Sequence, residues 1–293
     1  MSRILSARRQ RMAAGLVFTA PLIVIWGLLL VLPIGQTLYH SLTQWNGLRS
    51  SWVGFSGYAR LLGDSTFWRV LLNNAILLLS VPCAVFIPLG IAFLMNERPP
   101  GWKTFRSLIF LPATISWVVI GMVSLDFFTG DGILNNALGF LGLGVLKQHM
   151  LSSARLAILP VVITFIWSQV GPNSLILLTG ISTVSPEIYG AARIDGAGTV
   201  ALIWYITIPL IRRFLVFSLT ITLIAAFTAL FSLIFVMTNG GPNYGTTTLE
   251  FFIYQKAFNQ SQFGTGSALG VFLLAVMAIV SVFQFRFARF GEE

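Results

Sequence analysis

The 293-residue chain contains 56% hydrophobic and only 9% charged residues. Soluble globular domains average about 25% charged residues, so this chain cannot cover a water-facing surface of ordinary size. The composition therefore predicts an integral membrane protein in contact with the lipid bilayer. The net charge of +9 comes from few residues in the connecting loops, which favours a role in membrane orientation and excludes nucleic acid as the expected partner.

Six segments are long and apolar enough to cross a bilayer core, which needs about 20 mostly apolar residues in a helix. These segments are residues 14–39, 70–95, 105–128, 155–180, 213–238 and 266–288. We therefore predict an all-α integral membrane protein with a cytoplasmic basic N-terminus, residues 1–13, and a six-helix transmembrane domain, residues 14–293. The first apolar run is too long for the core of a signal peptide, and we expect it to be retained.

The distribution of Lys and Arg predicts the orientation of this bundle. With the N-terminus inside, twelve of the 18 basic residues fall in inner loops and six in outer loops. Because cytoplasmic loops carry an excess of Lys and Arg, both termini are predicted to be cytoplasmic. The longest inner loop, at about residues 181–212, then faces the cytoplasm as well.

This inner loop contains the stretch EIYGAARIDGAG, residues 187–198, in which small and polar residues replace the large apolar ones. Pro186 and Glu187 suit the first turn of a short helix, and Gly196 suits its end. A second short helix is predicted to follow, over the stretch TVALIWYITIPLIRR. A Gly and Ala face lets another surface approach closely; equally, small residues commonly pack a membrane helix against its own bundle.

The stretch YGAARIDGAGTVALIWYITIPLI resembles the EAA loop of permease subunits in binding-protein-dependent ABC importers. The pattern of that loop is E-A-A, three residues, G, and a later I-x-L-P. Other stretches resemble the carbohydrate-uptake branch of these permeases, in the same order: LPIGQTLYHSLTQWNG, WVGFSGYARLL, FRSLIFLPATIS and MTNGGPNYGTTTLEFFIYQKAF. The resemblance covers nearly the whole chain and implies the six-helix bundle of a type I importer permease in a bacterial inner or plasma membrane.

In that family the EAA loop is a coupling helix that docks in a cleft of a cytoplasmic ATPase. The resemblance implies such coupling roles for Glu187, Gly190, Ala191, Ala192, Asp195 and Gly196. Gly190 stands where the family has its glutamate. Glu187 lies one helical turn earlier on roughly the same face, so our hypothesis is that Glu187 makes the missing contact, or that the partner permease supplies the stronger one.

Polar residues inside a bilayer are costly and usually face the bundle interior or a wet cavity. The fourth predicted helix carries a polar cluster around Gly171-Pro172, a pair that should kink or break it. Aromatic, amide and hydroxyl groups together suit a sugar, and interhelical hydrogen bonding explains the same residues equally well. The candidate pathway residues are Trp167, Ser168, Gln169, Asn173, Thr222, Phe227 and Thr228.

The chain contains no Walker A motif, so we expect no cofactor in it: ATP and Mg would be bound by a partner ATPase. Its residues form no recognisable metal or catalytic constellation, and the chain is not expected to be an enzyme. His40 and His149 are expected at the membrane interface. The same location is expected for Asp126, Asn73 and Asn74.

The resemblance implies a subunit that forms half of a sugar pathway by alternating access. Its implied partners are a second related permease in a heterodimer, two copies of a cytoplasmic ATPase and an extracytoplasmic solute-binding protein. An ion-coupled secondary transporter is the main alternative, and it would require buried ionisable residues near the membrane centre. A membrane scaffold or enzyme and an ABC exporter half are weaker alternatives. The substrate stays open among disaccharides, glycerol-phosphate-type esters and amino sugars.

Overall fold

The computed structural model describes residue 15 and residues 17–289. The predicted N-terminal segment, residues 1–13, lies outside the described residues. The helices of the described part are α1 Val17–His40, α2 Ser56–Gly63, α3 Ser65–Asn96, α4 Trp102–Phe110, α5 Trp117–Phe128, α6 Ile133–Phe140, α7 Ile158–Ile181, α8 Pro186–Ile194, α9 Thr199–Leu210, α10 Arg212–Thr228, α11 Leu230–Met237, α12 Leu249–Tyr254 and α13 Phe263–Arg289. Strands β1 Thr43–Trp45 and β2 Ser50–Trp52 form a short antiparallel hairpin between α1 and α2.

The chain divides into two compact units. The first contains the chain up to Gly63 and the segment Ile253–Ala275, and thus α1, the hairpin and α2. The second contains Asp64–Phe252 and the chain from Val276, and thus the helices from α3 to α11. The candidate site residues predicted from the sequence all belong to the second unit.

Several helices are suited to a membrane. Five helical stretches are long and apolar enough to cross one, and there are up to six if α9 and α10, which meet at an 84° bend, are one span. The five are Val17–His40, Ser65–Asn96, Trp117–Phe140, Ile158–Ile181 and Phe263–Gln284. The predicted multi-pass helical architecture is therefore confirmed, with five or up to six candidate spans among the described residues.

The third predicted helix, residues 105–128, is not continuous. The structure has α4, a 3₁₀ turn over Leu111–Thr114, and then α5. Pro112 lacks an N–H group and cannot continue the backbone ladder of α4. Ser116 starts α5 as its N-cap, with its Oγ accepting a hydrogen bond from the Val119 N–H.

One expectation about the later helices was also wrong. The predicted helix 213–238 is divided at Ala229 into α10 and α11, of 17 and 8 residues. Of the kink or break expected at Gly171-Pro172, the break is absent, because α7 runs from Ile158 to Ile181. Tertiary contacts hold α7 in place around the proline: at Gly171, a Cβ atom would lie 2.7 Å from the Ile109 carbonyl oxygen, so only glycine allows this approach of α7 to α4.

The core of the second unit lies where α3 packs against α7 and α10. Apolar residues from α3, α7, α8, α9 and α10 form one buried cluster, which comprises Val85, Leu89, Ala92, Phe93, Leu177, Ile181, Tyr189, Leu202, Ile211 and Leu215. The short helix α8 contributes the buried Tyr189 to this cluster, and the half-buried Ala192 packs against it.

Candidate functional site

The predicted pair of short helices after α7 is confirmed as α8 and α9. Pro186 is the first residue of α8 and Glu187 lies in its first turn. Ser185 occupies the N-cap position, although its side chain makes no capping hydrogen bond. Gly196 follows α8 at φ +87°, a backbone conformation that favours glycine, so the chain turns sharply there.

One face of α8 is open to solvent in this chain. Gly190 and Ala191 each lie three or four residues from Glu187 and from Ile194 on that face, and all four residues are exposed. A Cβ atom at Gly190 would meet nothing within 4 Å, so the small residue is not required by internal packing. Ile194 is 89% exposed, which sequence reasoning did not anticipate.

The remaining residues of this loop complete the same surface. Asp195 and Gly196 are exposed, and Ala192 is half-buried. Small side chains at these positions therefore leave α8 accessible rather than closing a tight helix–helix contact. An exposed isoleucine at the end of a helical motif is a signal that the sequence contained, but its exposure depends on tertiary structure.

The opposite face of α8 contacts the bundle at two points. The hydroxyl of buried Tyr189 lies 3.1 Å from Thr207 Oγ1, and its ring is 6.0 Å from the ring of Phe93, edge to face. Arg193, in the last turn of α8, forms an ion pair with Glu97. These contacts were not predicted, because they join residues up to 96 positions apart.

Asn173 lies at the centre of a buried hydrogen-bond network between three helices. Its Nδ2 donates to the Ala84 carbonyl oxygen at 2.7 Å and to Thr222 Oγ1 at 2.8 Å. Its Oδ1 accepts from Ser218 Oγ at 2.8 Å. Because Pro88 has no N–H, the Ala84 carbonyl lacks its intrahelical donor, and Asn173 supplies the replacement.

The other candidate pathway residues are not brought together. Ser168 is buried and donates to the Phe165 carbonyl oxygen of its own helix; Thr228 is exposed and donates to the Ile224 carbonyl oxygen. Gln169 and Phe227 are buried. Trp167 is 43% exposed.

Trp167 lines an apolar cavity of about 400 Å³ between α5 and α7, which also contains Phe127 and Thr164. The hydroxyl oxygen of Thr164 is buried and makes no hydrogen bond to a described residue. An aromatic wall is able to stack on a sugar ring. Trp167 is therefore the candidate pathway residue best placed for contact with a solute.

Asn73 and Asn74, expected at the membrane interface, make contacts inside the protein. Both are buried in α3 and bind the backbone of residues 238–249, which we call the threonine loop. Asn73 Nδ2 donates to the carbonyl oxygens of Tyr244 and Thr247 at 2.8 and 2.9 Å, and Asn74 Oδ1 accepts from the Leu249 N–H at 2.7 Å. The first half of this loop consists of turns and bends, and its centre, Thr246–Thr248, is buried.

Glu250 follows the threonine loop in α12, outside the stretches suited to cross a membrane. Both of its carboxyl oxygens are buried, and neither makes a hydrogen bond to a described residue. Burial raises the pKa of Glu250, and the nearby polar groups of its own backbone, Thr248 and Asn74 oppose this effect only in part. Sequence reasoning missed this acid because its burial depends on tertiary contacts.

The described residues contain no cluster of three His, Cys, Asp or Glu side chains able to hold a metal ion. The candidate functional features of the described residues are therefore the exposed face of α8 and the buried polar network around Asn173.

The family model for the inner membrane component of binding-protein-dependent transport systems matches residues 69–290. The chain belongs to this family. It is a permease subunit of an ABC importer, as the resemblance implied, and the ion-coupled alternative is not favoured. Members of the family are transport components rather than ATPases.

Individual relatives align with almost the full length of the permease. It is 31% identical to the probable ABC transporter permease protein YurN of Bacillus subtilis, over 91% of this chain and 93% of that one. It is 30% identical to the sulfoquinovosyl glycerol transport system permease protein SmoG of Agrobacterium fabrum, over 92% and 88% of the two chains. A solved bacterial ABC transporter involved in the import of the acidic polysaccharide alginate has the same fold, with a TM-score of 0.81 at 22% identity and full coverage of both chains.

Proposed function

We propose that this permease forms half of a transmembrane pathway for a saccharide or saccharide derivative and is driven by ATP hydrolysis in a separate subunit. The observation that supports coupling to a separate ATPase is the open, small-residue face of α8. This helix lies outside the stretches suited to cross the membrane. The saccharide part is supported by relatives named for transport of sulfoquinovosyl glycerol, multiple sugars and lactose.

The proposed importer contains four further components besides this chain. A second, related permease completes the pathway as a heterodimer, two copies of a cytoplasmic ATPase bind ATP and Mg, and a solute-binding protein delivers the substrate. Support comes from the solved alginate transporter, which is in complex with an alginate pentasaccharide-bound periplasmic protein. Solute would enter by alternating access.

The proposed topology has six crossings with both termini in the cytoplasm. The fifth crossing would be α10 and α11 together, because these helices are separated by Ala229 alone and contain 17 and 8 residues. The excess of basic residues in the loops on the α8 side supports the orientation. In this topology α8 is a cytoplasmic coupling helix and the threonine loop lies on the outer side.

In the proposed contact, α8 inserts its open face into a cleft of the ATPase. Gly190 and Ala191 allow close approach, Ile194 buries its exposed side chain, and Glu187 supplies the charge that Gly190 does not. Since Glu187 is exposed and three residues before Gly190, the carboxylate of a glutamate at either position reaches the same side of α8.

A pair of substitutions tests the role of Glu187. In the reconstituted importer, Glu187→Ala should lower solute uptake per ATP hydrolysed, and Gly190→Glu added to it should restore the ratio, because the site at Gly190 is open. Solute uptake and phosphate release would be measured in the same vesicles. If Glu187→Ala leaves uptake and solute-stimulated ATP hydrolysis unchanged, Glu187 does not make this contact.

A further inference from the structure

Helix α8 does not pack continuously on the bundle. A cavity of about 620 Å³ separates its inner face from the end of α3, and it is lined by Phe93, Asn96, Glu97, Arg98, Ile181, Ser182, Val184, Pro186, Tyr189 and Arg193. Force applied to α8 therefore reaches the bundle mainly where side chains cross or border this cavity. Two such contacts are present, at Tyr189 and at Arg193.

The contact at Tyr189 joins α8 to α9 as well as to α3. Thr207 Oγ1 donates to the Leu202 carbonyl oxygen at 3.0 Å, so its hydroxyl proton is used within α9. The Tyr189 hydroxyl is then the donor to Thr207 Oγ1. This contact fixes the position of α8 against Phe93 in the last turn of α3, but it does not involve Glu97, the residue that ends this helix.

The contact at Arg193 does connect α8 to the end of α3, because Glu97 is the C-cap residue of α3. An acidic residue is unfavourable at the negative end of a helix dipole. Stability of α3 therefore does not explain a glutamate here, whereas pairing with Arg193 does. The next residue, Arg98, has φ +49° and its guanidinium lies 6.0 Å from the Trp102 ring, so the chain turns away directly after Glu97.

The other end of α3 holds the threonine loop through Asn73 and Asn74. The 32 residues of α3 span about 48 Å at 1.5 Å per residue, which is more than a bilayer core. One helix thus connects the ion pair under α8 to the backbone of the threonine loop on the opposite side.

We propose that the Glu97–Arg193 pair is the link through which α8 moves α3 and, through α3, the threonine loop. Both act as positioning residues, through their ion pair with each other. The proposal rests on the proposed function, in which α8 docks on the ATPase. It adds the pair of residues that transmits the movement and the distant loop that receives it.

Charge reversal tests the link in the complete importer, reconstituted with its ATPase and binding protein. Glu97→Arg and Arg193→Glu should each lower uptake per ATP about two- to fivefold, the range expected for loss of an exposed ion pair. The double variant restores opposite charges and should return to within about twofold of the unmodified importer. Lys103→Glu, an exposed charge change near the same end of α3, is the matched control and should leave the ratio unchanged.

The movement of the loop is measured separately. A cysteine introduced by Asn243→Cys, in a Cys83→Ser background, reports the accessibility of the threonine loop to a membrane-impermeant maleimide. Asn243 and Cys83 are both exposed, so the background change prevents labelling at Cys83. ATP should change the labelling rate in the otherwise unmodified complex, and Glu97→Arg should reduce that change.

Two results would overturn the proposal while leaving the proposed function intact. In the first, each single charge reversal leaves uptake per ATP unchanged. In the second, uptake per ATP in the double variant is no higher than in the worse single variant. An ATP-dependent labelling change that survives both reversals would also overturn it. If the unmodified complex shows no ATP-driven uptake, the proposed function fails and the proposal fails with it.

Discussion

At the scale of single residues, the polar groups of this permease divide into those that complete the fold and those left open. Asn173 belongs to the first group, because it satisfies a carbonyl that Pro88 leaves free and two hydroxyls of α10. Trp167 belongs to the second, since it lines a cavity and is partly exposed. A polar residue in a membrane helix can therefore be assigned to the solute pathway only after its hydrogen-bond partners within the protein are known.

Replacement of Asn173 by leucine should destabilise the permease more than it alters solute specificity. The Ala84 carbonyl and the Ser218 hydroxyl would lose a buried partner, at a cost of about 1–3 kcal/mol for each unsatisfied group. Thermal unfolding of the purified complex measures this, with Trp167→Ala as the control that should unfold normally. Normal stability of the Asn173→Leu variant would contradict the structural role.

The buried acid Glu250 makes stability depend on pH. Its pKa is raised in the folded state, so the folded protein binds more protons than the unfolded one above the ordinary glutamate pKa of 4.5. Stability should then fall as pH rises from 4.5 through the raised pKa. Glu250→Gln removes this dependence, and the variant should be more stable than the unmodified permease at neutral pH.

The difference between the two proteins should shrink as pH falls towards 4.5, because Glu250 is then neutral in the folded state and increasingly protonated in the unfolded state. Unfolding temperatures measured between pH 4.5 and pH 8 test this. An advantage of Glu250→Gln that is constant over the range, or that grows at low pH, would contradict the burial of an ionisable carboxyl at this position.

At the scale of elements, glycine decides where helices approach. Gly171 allows α7 to contact the backbone of α4, whereas Gly190 in α8 faces open space. Gly171→Ala should destabilise the permease by about 1–3 kcal/mol, because the new Cβ would lie 2.7 Å from a backbone oxygen. Gly190→Ala is the matched control and should be neutral or stabilising by up to about 1 kcal/mol. Equal effects of the two substitutions on the unfolding temperature would contradict this packing.

Local signals predicted some elements and failed for others. Hydrophobic length predicted the helices, and Pro186, Glu187 and Gly196 predicted α8, because capping and turn residues act within a few positions. Pro112 interrupts the third predicted helix through a similarly local effect, but this interruption was not predicted. Pro172 was expected to kink or break its helix, and it lies inside α7 without ending it.

The candidate site was predictable in its outline only. The open face of α8 follows from a local motif, and Ile194 extends it. The ion pair Glu97–Arg193 and the anchors Asn73 and Asn74 depend on contacts between residues about 100 or more positions apart, which no local pattern encodes.

At the scale of the whole molecule, the described part of the permease combines helices suited to a bilayer with short helices outside those stretches, α8 among them. The family match over residues 69–290 and the shared fold of the alginate transporter explain this architecture. Within it, α3 runs between two contact regions, with Glu97 at one end and Asn73 and Asn74 near the other. We expect a movement at α8 to be converted into a change at the threonine loop by this helix.

The central claim is that the permease has no energy source of its own and is driven from α8. The most direct test is uptake, in proteoliposomes, of the saccharide that co-purifies with the binding protein. The complete complex should accumulate it when ATP is supplied, and the same permease pair without the ATPase should not, even under an imposed proton or sodium gradient. Accumulation against a concentration gradient by the permeases alone would contradict the account.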